Sequence, residues 1–412
     1  MAHSASENNT PPLLAWSIYL LAGTFLAYEM ALQVFPGIIA TEMTASANIS
    51  LSLIGWIAGI YFISYTTMQI PAGIAFDFIS VRKVLVWACL TCALGVYLFS
   101  FFDYFLCMLI GRFLIGFGSS FAFTCVLVSA SQYFDPRLYP LLVGGAQFLG
   151  GLGAWGGEAP LAYMVSSLGI DQSQRILWAI GLTLAILSYL IIPAEKKVIN
   201  KDRLDKFKVD IKTTLSNEQT IANAAYAFFK WAPVIMIGGT WGVPFLEEAL
   251  HIPAVHAAEA VGFIWISTAI SSPFWGWLAS KIGSCRIPMI IGAIIGFFAS
   301  SFFVFYPHVY SSVLLFLIGA ASASHLLTFV LVKHNNSSDI VGTALGFNNM
   351  AVVAGGILFN PLVGSILDHL VAGKIKPSIE DYQYALFIAP ICYLIALFIC
   401  TRYIRDAKPH AD

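Results

Sequence analysis

Twelve long apolar stretches dominate this chain and leave few folds open to it. A helix needs roughly 20 apolar residues to cross the hydrocarbon core of a bilayer, and the stretches reach about that length. Ten-residue segments of alternating polarity, which are typical of a membrane β-barrel, are not seen. The sequence therefore predicts an all-α membrane protein with twelve transmembrane helices, called spans 1 to 12 below. They lie at 13–39, 51–75, 84–102, 104–131, 138–166, 174–193, 226–248, 257–280, 287–306, 310–332, 340–367 and 382–403.

The composition agrees with a chain that is mostly inside a membrane. Hydrophobic residues make up 58% of the 412 residues and charged residues only 10%, whereas soluble domains carry about 25% charged residues. The net charge of -1 offers no general basic surface to nucleic acid. The expected partners are therefore the lipid bilayer, a small-molecule substrate and protons, and we expect the chain to act as a monomer.

Two short motifs in the apolar runs are chance matches. Cys89 and Cys92 form C-x-x-C, but no second cysteine pair or histidine cluster completes a metal site. Gly151, Gly153 and Gly156 spell G-x-G-x-x-G, yet that dinucleotide motif needs a strand before it and an acidic residue about twenty positions later. We therefore expect neither a metal nor a cofactor.

The loops fix the orientation, because cytoplasmic loops are enriched in Lys and Arg. With both termini in the cytoplasm, sixteen of these residues lie in inside loops and three in outside loops. One long hydrophilic connection separates six spans from six. The predicted organisation is an N-terminal six-helix half at 1–193, a cytoplasmic linker at 194–225 and a C-terminal six-helix half at 226–412. The cytoplasmic end is called the inner end below, and the opposite end the outer end.

The two halves repeat each other at a nearly constant spacing. Span 5 matches span 11 when shifted by 201 positions, so that Gly145 meets Gly346. The segment GIAFDFISVRK, which begins at Gly73, matches GWLASKIGSCR, which begins at Gly276, at a spacing of 203. The two matches indicate pseudo-symmetric parallel halves, an architecture that puts a transport site at the interface between the repeats.

Several motifs resemble those of the major facilitator superfamily. GIAFDFISVRK resembles the family signature G-x-x-x-D-R-x-G-x-R-K after span 2, although Phe78 and Ser80 stand where the family usually has Arg and Gly. RFLIGFG from Arg112 is similar to the span 4 motif, and GGAQFLGGLGAWGGEAP to the Gly- and Pro-rich motif of span 5. GTWGVPFL and GTALGFNN resemble a bacterial branch related to lysosomal dipeptide carriers and to amino-acid transporters of intracellular bacteria. The resemblance implies transport by alternating access between two six-helix bundles.

A gate is expected at the inner end of span 2, at Gly73, Asp77 and Arg82. Asp77 can cap the positive N-terminal end of span 11, and Gly73 lets the two helices approach for this contact. The contact exists only while the inner side is shut, so it biases two conformations; the alternative is that Asp77 and Arg82 only anchor a loop. Glu158 lies roughly 27 Å along span 5 from Pro140 at about 1.5 Å per residue. That depth predicts an outer-gate or interfacial group.

Charged side chains inside a span are costly and usually functional. Glu29 lies near mid-membrane in span 1, with Gln33 on the same helical face and Tyr28 adjacent. This polar stripe predicts that Glu29 binds substrate or a proton. The alternative is an ion pair that holds two helices together.

Arg112 in span 4 and His325 in span 10 reach a similar depth. Arg112 needs an anion, which Glu29 or a substrate carboxylate can supply through bidentate hydrogen bonds, whereas the superfamily often gives an Arg here a coupling or structural role. His325 titrates close to neutral pH, so it either carries a proton or hydrogen-bonds to a neighbouring hydroxyl. We predict Glu29, Arg112 and His325 as the residues of proton coupling.

The predicted substrate site combines these charged residues with hydrogen-bonding and aromatic side chains. One deep cation and one deep anion suit a small zwitterion, and the family resemblance also implies an amino acid or a short peptide. A nucleoside, which needs amides and rings more than charges, or an organic acid is the alternative cargo. The predicted lining is Tyr28, Glu29, Gln33, Tyr61, Tyr65, Arg112, Gln147, Trp241, Trp265, His325, Asn348 and Asn349.

The predicted function is that of a secondary transporter of a bacterial inner membrane, driven by protons as a symporter. Neither a nucleophile elbow nor a phosphate loop is present to indicate an enzyme or an ATP-driven pump. A facilitative uniporter is the alternative within transport. A membrane-embedded enzyme or sensor is the alternative from another class.

Overall fold

The computed structural model shows a helical chain. Within the part that it describes there is no β-strand, and eleven helices are long and apolar enough to cross a membrane by length and composition. The prediction of an all-α membrane protein is thereby confirmed. Most of the predicted linker, 195–209, lies outside the described residues. The described residues are 11–46, 49–101, 104–135, 138–194, 210–308, 310–337, 340–371 and 376–406.

The N-terminal half follows the predicted spans closely, except in span 5. That span was expected as one helix but is broken between Gly156 and Ala159 and is not among the eleven helices. At the break Glu158 has a non-helical backbone, with φ -89° and ψ -102°. The helices are Pro12–Ser46 (span 1), Leu51–Phe78 (span 2), Val81–Phe99 (span 3), Phe105–Ser119 and Ala122–Tyr133 (span 4), Tyr139–Gly156 and Ala159–Leu168 (span 5) and Ile170–Ile191 (span 6).

The C-terminal half contains spans 7 to 12. Span 7 is irregular because Pro233 and Pro244 lack the N–H groups that a continuous α-helical ladder needs, and π-helical turns follow both prolines. The helices are Glu218–Pro233, Val234–Trp241, Gly242–Pro244 and Phe245–Ala249 (span 7), Ala254–Ile282 (span 8), Arg286–Phe305 (span 9), Ser311–Ser322, Ala323–Leu326 and Leu327–Asn335 (span 10), Val341–Val371 (span 11), and Ile379–Leu386 and Ile388–Arg402 (span 12).

Span 7 begins about two helical turns earlier than predicted. The side chain of Asn217 accepts hydrogen bonds from the N–H groups of Gln219 (3.0 Å) and Thr220 (3.2 Å), and Glu218 occupies the first turn. An Asn cap followed by an acidic first turn is a strong start signal for a helix. Residues that seemed to lie at the start of span 7 are therefore deep inside it.

The sequence repeat is also a repeat of helix packing. In the N-terminal half, a Cβ atom on Gly116 of span 4 would meet the hydroxyl of Ser64 in span 2. In the C-terminal half, a Cβ atom on Gly319 of span 10 would meet the hydroxyl of Ser267 in span 8. Each residue of the second pair lies 203 positions after its counterpart in the first. The two halves thus bring equivalent helices together at equivalent residues.

The halves meet along three helix pairs: span 2 with span 11, span 5 with span 8, and span 1 with the π-helical part of span 7. Two glycine pairs show that this contact is closed at one end only. Gly55 and Gly73 are 18 residues apart in span 2, about five turns, so they lie on the same face. A Cβ atom on Gly55 would clash with the backbone of span 11 at Asn360, whereas none of the described atoms lies within 4 Å of a Cβ atom on Gly73.

Span 11 shows the same difference from the other side. Gly346 and Gly364 are also 18 residues apart and share a face. A Cβ atom on Gly364 would clash with the backbone of Leu51 in span 2, whereas a Cβ atom on Gly346 meets no described atom within 4 Å. The halves are therefore in backbone contact at the outer end, and at the inner end spans 2 and 11 separate beyond the hydrogen bond between Gln69 and Asn349 (2.8 Å).

Candidate functional site

Glu29 is buried near the middle of span 1, with 1% of its surface exposed. The hydroxyl of Tyr61 in span 2 donates to its Oε2 at 2.9 Å, and Tyr61 stacks on Tyr65 with ring centroids 5.6 Å apart. In the described part of the chain, Oε1 of Glu29 has no hydrogen-bond partner and no basic group forms a salt bridge with this residue. The hydroxyl of Ser119 also bonds to the carboxylate. With only neutral donors in a buried place, the neutral acid is favoured, because an uncompensated charge there is costly.

Arg112 is not the partner of Glu29, and the predicted pairing is wrong. Its guanidinium donates to three backbone carbonyls, at Leu32 (2.7 Å), Ile57 (3.3 Å) and Gln33 (3.4 Å). Proline at position 36 lacks an N–H group, so the carbonyl of Leu32 has no donor four residues along span 1. Arg112 supplies that donor and ties span 4 to spans 1 and 2. Its side chain is 1% exposed.

Glu158 lies where spans 5, 7 and 8 meet. The indole N–H of Trp265 in span 8 is shared between Oε1 of Glu158 (3.3 Å) and the carbonyl of Gly238 (3.2 Å) in the π-helical part of span 7. Glu158 is 1% exposed, and its Oε2 has no partner among the described residues. Span 5 continues for ten residues to Leu168, roughly 15 Å, so Glu158 lies deeper than predicted. The carboxylate spans the interface between the halves.

His325 occupies a short 3₁₀ segment in span 10. Its Nδ1 lies 3.0 Å from the carbonyl of Ser322, so the expected hydroxyl partner is replaced by a backbone oxygen. Its ring packs against Trp231 of span 7, with centroids 4.5 Å apart, and 6% of the residue is exposed. His325 thus belongs to the C-terminal half, away from Glu29.

Amide side chains lie on the faces where the halves approach each other. Asn349 of span 11 donates to Gln69 of span 2 at 2.8 Å, while Asn348 is buried and donates to Thr328 within the C-terminal half at 2.8 Å. Gln147 of span 5 is exposed and lies one turn before a glycine that faces span 8. Gln33 and Asn349 are partly exposed. Gln33, Gln147 and Asn349, rather than Glu29 and Arg112, have exposed side-chain surface and can line the space between the halves.

Two predicted lining residues point away from that space. The hydroxyl of Tyr28 donates to the carbonyl of Leu177 in span 6 at 2.9 Å, inside the N-terminal half. Trp241 is fully buried, and its indole donates to the carbonyl of Asn360 at 3.3 Å near the closed outer end. The helix faces assigned to Tyr28 and Trp241 from sequence were wrong, because Tyr28 bonds within its own half and Trp241 bonds at the closed interface.

The inner gate is only partly visible. The side chain of Asp77 lies outside the described residues, so its predicted contact with span 11 stays a prediction. Arg82 lies over the ring of Tyr189 in span 6, with Cζ 4.1 Å from the centroid. This contact stays within one half and holds the start of span 3 against span 6.

A carboxylate that the sequence reasoning missed caps the closed end. Asp368 of span 11 accepts hydrogen bonds from the N–H groups of Leu51 (2.8 Å) and Ser52 (2.9 Å) at the start of span 2. Anions are favoured at helix N-termini, so this contact joins the halves at the outer end as Asp77 is predicted to do at the inner end. An acid near the outer end of span 11, opposite a helix start, was the available signal.

Comparison with known proteins gives a family and a fold. The sequence matches the family model described as Major Facilitator Superfamily over residues 20–359 and again over 224–412. A bacterial homolog to the human lysosomal transporter Spinster, solved in an inward-facing and unoccupied conformation, aligns with a TM-score of 0.79 at 13% identity and covers 98% of this chain and 100% of that chain.

Two other solved structures are also similar. The nucleoside transporter NupG has a TM-score of 0.75 at 14% identity, with 94% of this chain and 98% of that chain covered. A D-xylose-proton symporter has a TM-score of 0.75 at 14% identity, with 97% and 99% covered. At these identities the structural likeness establishes the fold, and the family match adds the class of protein. The chain therefore belongs to the major facilitator superfamily and is a multi-pass membrane transporter rather than an enzyme.

Proposed function

We propose that this chain is a proton-coupled secondary transporter of small polar solutes, in which Glu29 binds the proton. The buried carboxylate of Glu29 carries the proposal, because only neutral hydroxyls, those of Tyr61 and Ser119, bond to it and no described base forms a salt bridge with it. An ionisable group of this kind inside a span marks a functional site. Glu29 takes up a proton from the outer side in the alternate conformation and is stable as the neutral acid while it is buried. It releases the proton to the inner side when water reaches it through the separated inner ends.

Alternating access is supported by the one-sided contact between the halves. The same faces of spans 2 and 11 touch at the outer end and are separate at the inner end. Rocking about the substrate site closes the separated end and opens the other. The excess of Lys and Arg in inside loops makes the separated end the cytoplasmic one. In this proposal the membrane is a bacterial inner membrane and the chain acts as a monomer.

The substrate class that fits the open lining best is a neutral solute with amide and ring contacts, such as a nucleoside. Gln33, Gln147 and Asn349 have exposed surface, and Trp231 is partly exposed, whereas Arg112 is already bonded to three carbonyls. An amino acid or a short peptide is the second candidate, since a zwitterion needs Arg112 to leave these carbonyls. An organic acid needs the same change.

We expect nucleosides to stabilise the purified transporter more than amino acids, dipeptides or organic acids do. A ligand that binds the folded state raises the unfolding temperature according to its affinity, so a thermal-shift panel of these four classes measures the preference directly. Stabilisation by an amino acid or dipeptide, with none by any nucleoside, would show that Arg112 is available to a carboxylate and would reverse the order of the two candidates.

Glu29→Gln is expected to abolish accumulation of the bound solute under a pH gradient while leaving exchange of that solute intact. The amide has nearly the same shape as the protonated acid and cannot release a proton, so coupling is lost without loss of the binding site. Uptake and counterflow into proteoliposomes separate the two activities. Glu259→Gln is the control, because Glu259 is an exposed carboxylate beside His256.

The uniporter alternative gives a different result. A facilitative carrier shows no accumulation driven by a pH gradient even in the wild type. Wild-type accumulation that persists in Glu29→Gln would place the coupling proton at another residue.

A further inference from the structure

Lys230 is a second buried ionisable group, in span 7 of the C-terminal half. None of its surface is exposed, and its Nζ has no hydrogen-bond partner among the described residues. The ring of Tyr393 in span 12 is a contact that can stabilise a positive charge on Lys230. The distance from Nζ to the centroid of this ring is 4.7 Å. A lysine ammonium without an anion in a dry interior is as unfavourable as the unpaired carboxylate of Glu29.

The packing around Glu29 defines its place in the N-terminal half. Two glycines of span 5, Gly153 and Gly157, have no room for a Cβ atom because they lie against the backbone of span 1 at Ala27 and Ala31. In the sequence Glu29 lies midway between Ala27 and Ala31, on a segment of span 1 that packs tightly against span 5. Its position relative to the helix contact is thus fixed.

The C-terminal half repeats this arrangement with Lys230 in the central position. Gly355 of span 11 packs against span 7 at Phe228 and Ala232. These two residues lie 201 positions after the two alanines of span 1 that touch span 5, and Lys230 lies 201 positions after Glu29. Pseudo-symmetry therefore relates the buried acid of one half to the buried base of the other.

We propose that Lys230 is a second proton-binding residue of this transporter, the counterpart of Glu29 in the C-terminal half. The inference rests on the proposed proton coupling and extends it to a second site. In the conformation with separated inner ends, the neutral amine is the stable form of Lys230. The alternate conformation gives the amine water or an anion, so that it takes up one proton from the outer solution and becomes an ammonium there. It returns that proton to the outer solution before the conformation with separated inner ends forms again.

The groups that face Lys230 leave its charge uncompensated. Span 12 contributes the ring of Tyr393 and the thiol of Cys400, and span 10 contributes His325. Span 11 has no titratable residue before Asp368, which lies at the outer end. No described carboxylate therefore reaches the amine, and a shift of the helices around it is needed to stabilise its charge.

The two residues respond to pH in opposite directions. Acid neutralises Glu29 and alkali neutralises Lys230, and both changes favour the conformation in which these side chains are dry. The fraction of molecules with separated inner ends is consequently lowest near neutral pH, where both residues are charged in the alternate conformation, and it rises on either side.

Spin-label distances between the inner ends of spans 2 and 8, measured on the full chain in nanodiscs without substrate, test this dependence. In the wild type we expect the ratio of separated to closed inner ends to rise by about tenfold between about pH 7 and pH 9.5, as a lysine approaches its usual range of deprotonation. Lys230→Met is expected to abolish this alkaline rise and to keep the inner ends mostly separated at all pH values. Lys230→Arg is expected to abolish the rise as well, but with the inner ends mostly closed.

A matched lysine controls for the loss of a cation beside a ring. Lys281 lies over Trp277, with Nζ 5.0 Å from the centroid, but it is exposed, so Lys281→Met is expected to keep the alkaline rise. An alkaline rise that survives in both Lys230 variants overturns the inference, and Glu29→Gln then decides separately on the proposed function, because it removes only the acid rise. Loss of the alkaline rise in Lys230→Met with an unchanged acid rise in Glu29→Gln leaves Lys230 as a proton site and rejects Glu29.

Discussion

Replacing Arg112 by leucine is expected to lower the free energy of unfolding by about 1–3 kcal/mol, the cost of leaving a buried acceptor without its donor. The substitution leaves three buried carbonyls without their donor, and the carbonyl of Leu32 has no replacement within its own helix because of Pro36. Arg112→Lys is expected to lose most of this stability too, since a single ammonium cannot reach three carbonyls as a planar guanidinium does. Denaturant unfolding in detergent, followed by tryptophan fluorescence, measures the change.

Pro36→Ala separates this account from a general loss of packing. Alanine restores an N–H group that can bond to the carbonyl of Leu32, so Arg112→Leu should cost about 1–2 kcal/mol less in the Pro36→Ala background than in the wild type, a coupling typical of residues that share one hydrogen-bond network. Additive effects of the two substitutions on the free energy of unfolding would mean that the bond from Arg112 to the carbonyl of Leu32 does not depend on Pro36. Equal stability of Arg112→Leu and wild type would contradict the bracing role altogether.

The helices were largely predictable because the bilayer imposes a length of apolar residues that any reader of the sequence can measure. Side-chain direction was not, and Glu29 and Arg112 show why. Both were placed at the right depth, and complementary charges at one depth suggested a pair. Pro36 lacks an N–H group and so leaves the carbonyl of Leu32 as a backbone acceptor that competes for the guanidinium. No hydropathy pattern reveals which acceptor a buried arginine takes.

Lys230 was overlooked for a related reason. The apolar run of span 7 was counted from residue 226, which put this lysine at the membrane surface, where it needs no explanation. The cap at Asn217 starts the helix about two turns earlier, so Lys230 lies that much farther from the start of the helix than was predicted. The 201-residue repeat already aligned it with Glu29 in the sequence, so the signal was available before the structure.

Glu158 shows the limit of counting along a helix. Its predicted distance from the inner end of span 5 put it near the outer face of a single straight helix that ends near 166. The helix to Leu168 extends the span by only two residues, so what places the carboxylate inside the protein is the hydrogen bond that the indole of Trp265 in span 8 donates to it. Local breaks at glycines are poorly marked in a sequence in which glycine is frequent throughout the span.

Gly364→Val and Gly346→Val are expected to have opposite effects on the conformational equilibrium, although both replace a glycine on the same face of span 11. At Gly364 the added side chain meets the backbone of Leu51, which cannot move aside as a flexible side chain can. Overpacking of this kind costs about 1–3 kcal/mol, and that cost falls only on the conformation with a closed outer end. The outward-open fraction should therefore rise by roughly 5- to 150-fold.

At Gly346 the same substitution meets open space in the conformation described here, so it should leave that conformation undisturbed. The clash arises only when the inner ends of spans 2 and 11 come together, and the variant is expected to stay open at the inner end and to lose transport. Spin-label distances across both ends of the bundle distinguish the two cases, because valine affects helix propensity equally at both positions. Similar distances in the two variants would mean that these glycines serve only the packing within each helix and that the halves do not close along this face. An outward shift in Gly364→Val together with an inward lock in Gly346→Val would require one face of span 11 to form the contact at each end in turn.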